Sequence, residues 1–121
     1  IDGLKVCQRL SALSIRTNVT LIFSPAQAIL ASLAGATYIS PFIGRMDDNS
    51  LDGMKLISDI KRTLTTDTKI LAASIRDPQS VGTAFALGAD ICTVPPAVFD
   101  RMYDHVLTDK GLEQFNRDAG L

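Results

Sequence analysis

Histidine and glutamate occur once each in the 121 residues, as His105 and Glu113, and cysteine only twice. A single glutamate narrows the choice of carboxylate catalysts. Cys7 and Cys92 stand far apart among apolar neighbours, in neither metal-ligand nor redox spacing. They read as buried free thiols of a reducing cytoplasm. His105 has no nearby cysteine or paired acid and reads as a surface residue, so no metal is expected. Neither charge is in excess: 12 basic against 13 acidic residues leave a formal −1, scattered along the chain. No face is then basic enough to hold a nucleic-acid backbone. No apolar run approaches the ~18 residues of a membrane span, and no signal peptide precedes a small-residue cleavage site. A cytoplasmic protein is the expectation. An initiator Met is missing too, and the chain opens with IDGLK, already inside a helical pattern.

What is present is ordinary for a globular domain: 46% hydrophobic and 21% charged residues, enough for one domain with a core. Leu4, Cys7, Leu10 and Leu13 recur at helical spacing, which predicts a helix over 3–13. TNVTLIF (17–23) reads as a strand. Ser24, Pro25 and Gln27 then form a capping box with proline at the first helical position, and Gly35 ends that helix. A strand over 36–42 follows, then a helix marked by Leu51, Met54, Ile57, Ile60 and Leu64. KILAASI (69–75) is the third strand. Asp77 caps, Pro78 starts and Gly88 stops the next helix. A fourth strand covers 90–95, with a short helix from Pro96 and a last one from Thr108 to about Asp118.

Two units share a grammar: LAGATYISP (33–41) and LGADICTVP (87–95) each run helix end, Gly-Ala, strand, proline. Alternating strands and helices with short connections imply a parallel sheet of right-handed βα units, in a barrel or a doubly wound sheet. No Gly-rich phosphate fingerprint follows any strand, which counts against the dinucleotide-binding version.

Polar interruptions of the strands sort by parity. Asn18 and Thr20 share a face, Ser40 and Phe42 share one with Tyr38, and Ser74 lies with Ala72 and Arg76 against Ile75; Thr93 is a weaker fourth. In three of the four strands these residues collect toward the C-terminal end, where a TIM barrel carries its active site. The alternative is that Thr20, Ser40 and Ser74 bond neighbouring backbone groups. Arg45 and Arg76 each follow a strand end. Each could grip a phosphate bidentately at the mouth, or pair locally, Arg45 with Asp47 or Asp48 and Arg76 with Asp77.

TNVTLIFSPAQA, AGATYISPFIGRMDD, DGMKLI, ILAASIRDP and LTDKGLEQF together resemble, in order and over essentially the whole chain, the small transaldolases of the transaldolase and fructose-6-phosphate aldolase family. The resemblance implies the C-terminal half of a TIM (β/α)8 barrel, residues 1–121 forming a single segment of four parallel strands alternating with helices. It implies Schiff-base chemistry without metal or cofactor, moving a dihydroxyacetone unit between sugar phosphates in the pentose phosphate pathway. The family's lysine would precede Ile1, so no catalytic residue is expected within this chain, which is expected to be inactive alone. Lys5, Lys55 and Lys61 fall on helices, Lys110 starts one, and Lys69 stands at the wrong end of its strand. By the resemblance, Asn18, Thr20, Ser40 and Phe42 contact substrate, and Arg45, Ser74 and Arg76 bind its phosphate. Phe42 replaces the tyrosine common in the aldolase branch, which leans toward transaldolase. Fructose-6-phosphate aldolase is the alternative within the family; a non-catalytic sugar-phosphate-binding or assembly half-barrel is the rival outside it. The partners implied are a sugar phosphate, the N-terminal half of the barrel, and further copies of the chain packed through its last helix, with neither nucleic acid nor membrane.

Overall fold

A computed structural model describes residues 1–121. Helix α1 (Asp2–Ala12) leads into strand β1 (Asn18–Ile22), α2 (Pro25–Leu33) and β2 (Tyr38–Pro41). Two helices follow, α3 (Ile43–Asp48) and α4 (Gly53–Thr63), then β3 (Lys69–Ala72), α5 (Pro78–Ala86) and β4 (Ile91–Cys92). The chain closes with α6 (Pro96–Asp100), a 3-10 turn (Arg101–Tyr103) and α7 (Val106–Asp118). The strands form one parallel sheet in the order β1-β2-β3-β4, each pairing with its sequence neighbour. That is the repeating βα geometry of a barrel wall, without the reversal of strand order that marks a doubly wound sheet.

The caps work as their chemistry dictates. Ser24 accepts from the Gln27 N–H at 3.2 Å, and the Gln27 side chain accepts in return from the Phe23 N–H at 2.8 Å. The return bond thus reaches one residue further back than in a strict capping box. Asp77 accepts from the Ser80 N–H at 2.9 Å and Asp52 from the Lys55 N–H at 2.9 Å. Gly35 and Gly88 stop their helices with φ of +94° and +116°, which a residue with a Cβ adopts only with strain.

One face of the sheet is dry. Ile39, Ile70 and Ala72 pack with Ala28 and Ala31 of α2, Ile57 and Ile60 of α4, and Val81 and Ala84 of α5 in a single buried cluster. By alternation the opposite face carries Tyr38, Ser40, Leu71 and Ala73. Four details differ from the sequence expectation. The strands are shorter, β3 stopping at Ala72 rather than Ile75 and β4 covering only Ile91–Cys92 rather than 90–95. Leu13 and Leu51 are exposed, while Leu56 joins the core. The helix α3 occupies a stretch that carried no element assignment. The last helix begins at Val106 rather than Thr108, its N–H groups capped by His105, whose Nδ1 accepts from Leu107 at 3.1 Å. His105 is exposed, as expected, and Cys7 is buried and free. Cys92 is half-buried, and that burial pushes its thiol pKa up. No helix is long and apolar enough to cross a membrane.

Candidate functional site

Two clusters gather the residues singled out from sequence, and each is built differently. The first lies across β1 and β2. Asn18 and Tyr38 are register partners, which brings Ser40 diagonally onto the face of Asn18. The Ser40 hydroxyl, only 2% exposed in its residue, donates to Asn18 Oδ1 at 2.7 Å. These two therefore share a face as alternation requires. Asn18 is the first residue of β1, not one near its C-terminal end. Thr20 is exposed and lines a cavity of about 360 Å³ with Val6, Cys7, Leu10 and Asn18, between α1 and the open edge of β1. Beyond Thr20 the pairing slips: the register shifts between Val19 and Ile22, and Leu21 takes a left-handed φ of +57°. A bulge of this kind bends the strand and re-aims its side chains.

The second cluster lies at the C-terminal ends of β2 and β3. Phe42 bridges to Ala73 beyond the named strands. The Ile43 and Gly44 N–H groups donate to the Ala73 and Ser74 carbonyls at 2.9 and 3.0 Å, so α3 starts directly against the β3–α5 loop. Only glycine allows that approach. A Cβ on Gly44 would stand 2.7 Å from Ser74 Oγ and 2.8 Å from Arg76 Nε, and closer still to the Ser74 carbonyl. Ser74, Arg76 and Gly44 line a cavity of about 190 Å³ with Ile43, Ser80 and the acidic Asp47 and Asp77, and Ser74 and Arg76 line a second of about 330 Å³ with Thr93, Val94 and Pro95. Arg76 thus stands between two clefts at the sheet's C-terminal edge.

Parity fails at Ser74. Its φ is +59°, which breaks the alternation, so Ala72 and Ile75 both face the core while Ser74 turns to the clefts with Arg76. Neither arginine pairs as the sequence suggested. Arg45 forms no ion pair; its guanidinium lies over the Phe42 ring, 5.1 Å from the centroid, and the Phe23 ring is 6.2 Å from that of Phe42. Arg76 does not contact Asp77, whose carboxylate is committed to Ser80. It pairs instead with Asp48, fork to fork, one of the two bonds running 2.8 Å from Arg76 Nη2 to Asp48 Oδ2. The bonds to Arg76 hold the Asp48 carboxyl below the usual carboxylate range, with the charges of Arg76 and then Arg45 adding to the effect. Arg101 Nη2 reaches the Arg76 carbonyl at 3.4 Å.

Sequence reasoning missed Gly44, Asp48 and Arg101. Asp48 was visible only as a possible partner of Arg45. Gly44 carried a signal in principle, a glycine directly after the apolar run and before an arginine, but nothing in one sequence shows what it must approach. Chemically, the second cluster presents the Ser74 hydroxyl and the Arg76 guanidinium at the clefts, donors suited to an anion, with Asp47 and Asp77 on the wall of the smaller one. No lysine lines either cleft: Lys5, Lys55, Lys61 and Lys110 are on helices, and Lys69 is the first residue of β3. No three His, Cys, Asp or Glu residues are grouped as a metal site would require.

The chain's resemblances agree with this geometry. Solved structures that it resembles are TIM-barrel proteins. They include inosine 5′-monophosphate dehydrogenase from Legionella pneumophila (TM-score 0.61, 20% identical, 78% of this chain and 32% of that one) and a mandelate oxidase variant (TM-score 0.61, 19% identical, 82% and 32%). At such identities the likeness concerns the fold alone. In sequence the chain is 57% identical over 120 residues to a probable transaldolase of Caulobacter vibrioides and equally to one of Paracoccus denitrificans, in each case over 97% of this chain and 55% of the relative. It spans about half the length of these curated relatives. The family model described as transaldolase/fructose-6-phosphate aldolase matches residues 1–120, and the chain belongs to that family.

Proposed function

We propose that the whole protein is a transaldolase, moving a dihydroxyacetone unit from a ketose phosphate to an aldose phosphate through an imine on a lysine. The observation that carries this reading is the second cluster: Ser74 and Arg76 share two clefts at the C-terminal sheet edge, with Arg45 on the adjoining α3. In this reading they take the substrate phosphate. Bidentate guanidinium bonds fix its position, and the Ser74 hydroxyl, aimed by a left-handed backbone, adds a third donor. Asn18, Thr20, Ser40 and Phe42 contact the sugar chain. The Asn18–Ser40 bond holds the amide in one orientation, which leaves its NH2 group to donate to a substrate oxygen.

The imine lysine belongs to the part of the family's barrel that precedes Ile1. A Schiff-base lysine must be neutral at the reacting carbonyl, which needs an apolar pocket. None of the five lysines here stands at the clefts. Transfer is favoured over release because Phe42 brings no hydroxyl to activate a water or proton, and because the relatives above carry the name transaldolase. A place in the cytoplasm and the pentose phosphate pathway follows from the same reading. Borohydride trapping with fructose 6-phosphate tests it. The whole protein should give a reduced adduct on a lysine upstream of Ile1, and the 121-residue chain none. An adduct on Lys5, Lys55, Lys61, Lys69 or Lys110 would overturn the assignment of the nucleophile.

A further inference from the structure

We propose that Asp48 is an internal anion that occupies Arg76 until a phosphate displaces it, and so sets how tightly the site takes phosphorylated ligands; this rests on reading Arg76 as a phosphate ligand. Asp48 ends α3 and Arg76, which lines both clefts, lies just past β3, so the pair joins two elements beside the clefts. The carboxylate meets the guanidinium fork to fork. Phosphate oxygens that grip this Nη1–Nη2 edge need the same N–H groups, so the two anions exclude one another there.

The pair is poorly explained as a folding contact. Its side chains are 54% and 52% exposed, a setting in which ion pairs contribute little to stability. The connection between α3 and the β3–α5 loop is already made by the Ile43 and Gly44 N–H bonds to the Ala73 and Ser74 carbonyls. Asp48 is thus free to leave. Arg45 is near enough for its charge to act on Asp48 as well, so a departing carboxylate keeps a second cation beside it.

A site whose competent form is only partly populated binds with an affinity reduced by that fraction. Asp48 therefore weakens phosphate binding through Arg76 and leaves contacts to the neutral sugar chain untouched. The effect is to narrow the preference for phosphorylated over unphosphorylated ligands and to speed release of phosphorylated products.

Calorimetric titration of the whole protein with inorganic phosphate tests this, using the wild type, Asp48→Asn, Arg76→Ala and the double variant. Asp48→Asn should bind phosphate about two- to sixfold tighter, the modest range that an exposed ion pair allows. On the Arg76→Ala background most of that gain should vanish, since Asp48 is bonded to Arg76 and reaches Arg45 by charge alone. If Asp48→Asn binds no tighter while Arg76→Ala still weakens binding, the proposal falls and the phosphate site stands. If the wild type binds no phosphate, or Arg76→Ala changes nothing, the phosphate reading falls and takes the proposal with it. Asp48→Ser serves in the same titrations should Asp48→Asn not melt cooperatively.

Discussion

Ser74 sits with φ at +59°, a conformation that costs a non-glycine residue of order 1–3 kcal/mol and persists only where its surroundings impose it. Here the Gly44 N–H bond to its carbonyl does part of that work. Parity put Ser74 beside Ala72, and the left-handed turn undoes that, because alternation describes only extended backbone. Residue types at strand ends were legible; directions past the last ladder bond were not. The arginines teach the same lesson. Local spacing offers each a partner close in sequence, whereas Arg76 finds Asp48 at the end of α3 and Arg45 finds the ring of Phe42. A guanidinium over an aromatic face remains charged and can still turn its N–H edge outward to an anion. In the whole protein, Arg45→Ala should therefore raise KM for phosphorylated donors about ten- to hundredfold, the loss of one charge-assisted contact, with little change for free dihydroxyacetone. Steady-state kinetics with the two donor types checks this. Equal losses for both would give Arg45 a structural role.

Elements were read best where caps and periodicity agreed. Ser24-Pro25 and Asp77-Pro78 start α2 and α5 at the expected residues, and Gly35 and Gly88 stop them. The missed element, α3, is six residues long, too short to show a period, and it has no side-chain cap. It is nevertheless the one that carries Arg45 and Asp48. The cap of α5 gives an element-scale prediction. Asp77 accepts from both the hydroxyl and the N–H of Ser80, and these bonds hold its carboxyl pKa below the ordinary 3.8. A carboxyl whose folded pKa is depressed stabilises the fold above its unfolded value, and that contribution fades as pH falls through the folded value. Asp77→Ala should cost about 1 kcal/mol at pH 7, the usual worth of a cap. Asp77→Asn keeps a capping oxygen and should cost less. The wild type's advantage over Asp77→Asn should shrink below about pH 4, as Asp77 takes up its proton. Denaturant melts at pH 7 and near pH 3 measure both. An advantage that grew at acid pH would contradict the sign.

At the scale of the molecule, the sheet has two edges, β1 and β4, whereas a closed barrel has none. Only 25 of the 121 residues are buried, and the core lies on the helix side alone. The opposite face, with Leu71 and Ile91 half-covered, would meet side chains from other strands in a complete barrel. A trough of about 360 Å³ runs along β1, and α7 buries none of its residues, leaving Val106, Leu107, Leu112 and Phe115 in solvent. Uncovering even ~400 Å² of apolar surface costs on the order of 10 kcal/mol at about 25 cal/mol per Å². That matches the whole stability of a small domain, roughly 5–15 kcal/mol. The 121-residue chain on its own should therefore self-associate, aggregate, or bind the complementary half of the barrel. Parallel edges and an apolar inner face would accept another copy of the same sheet as readily as a complementary half. Sedimentation at micromolar concentration reads the outcome directly. A compact monomer of 13.0 kDa that melts cooperatively would show that these strands cover their own inner face, and a half-barrel would no longer describe the chain.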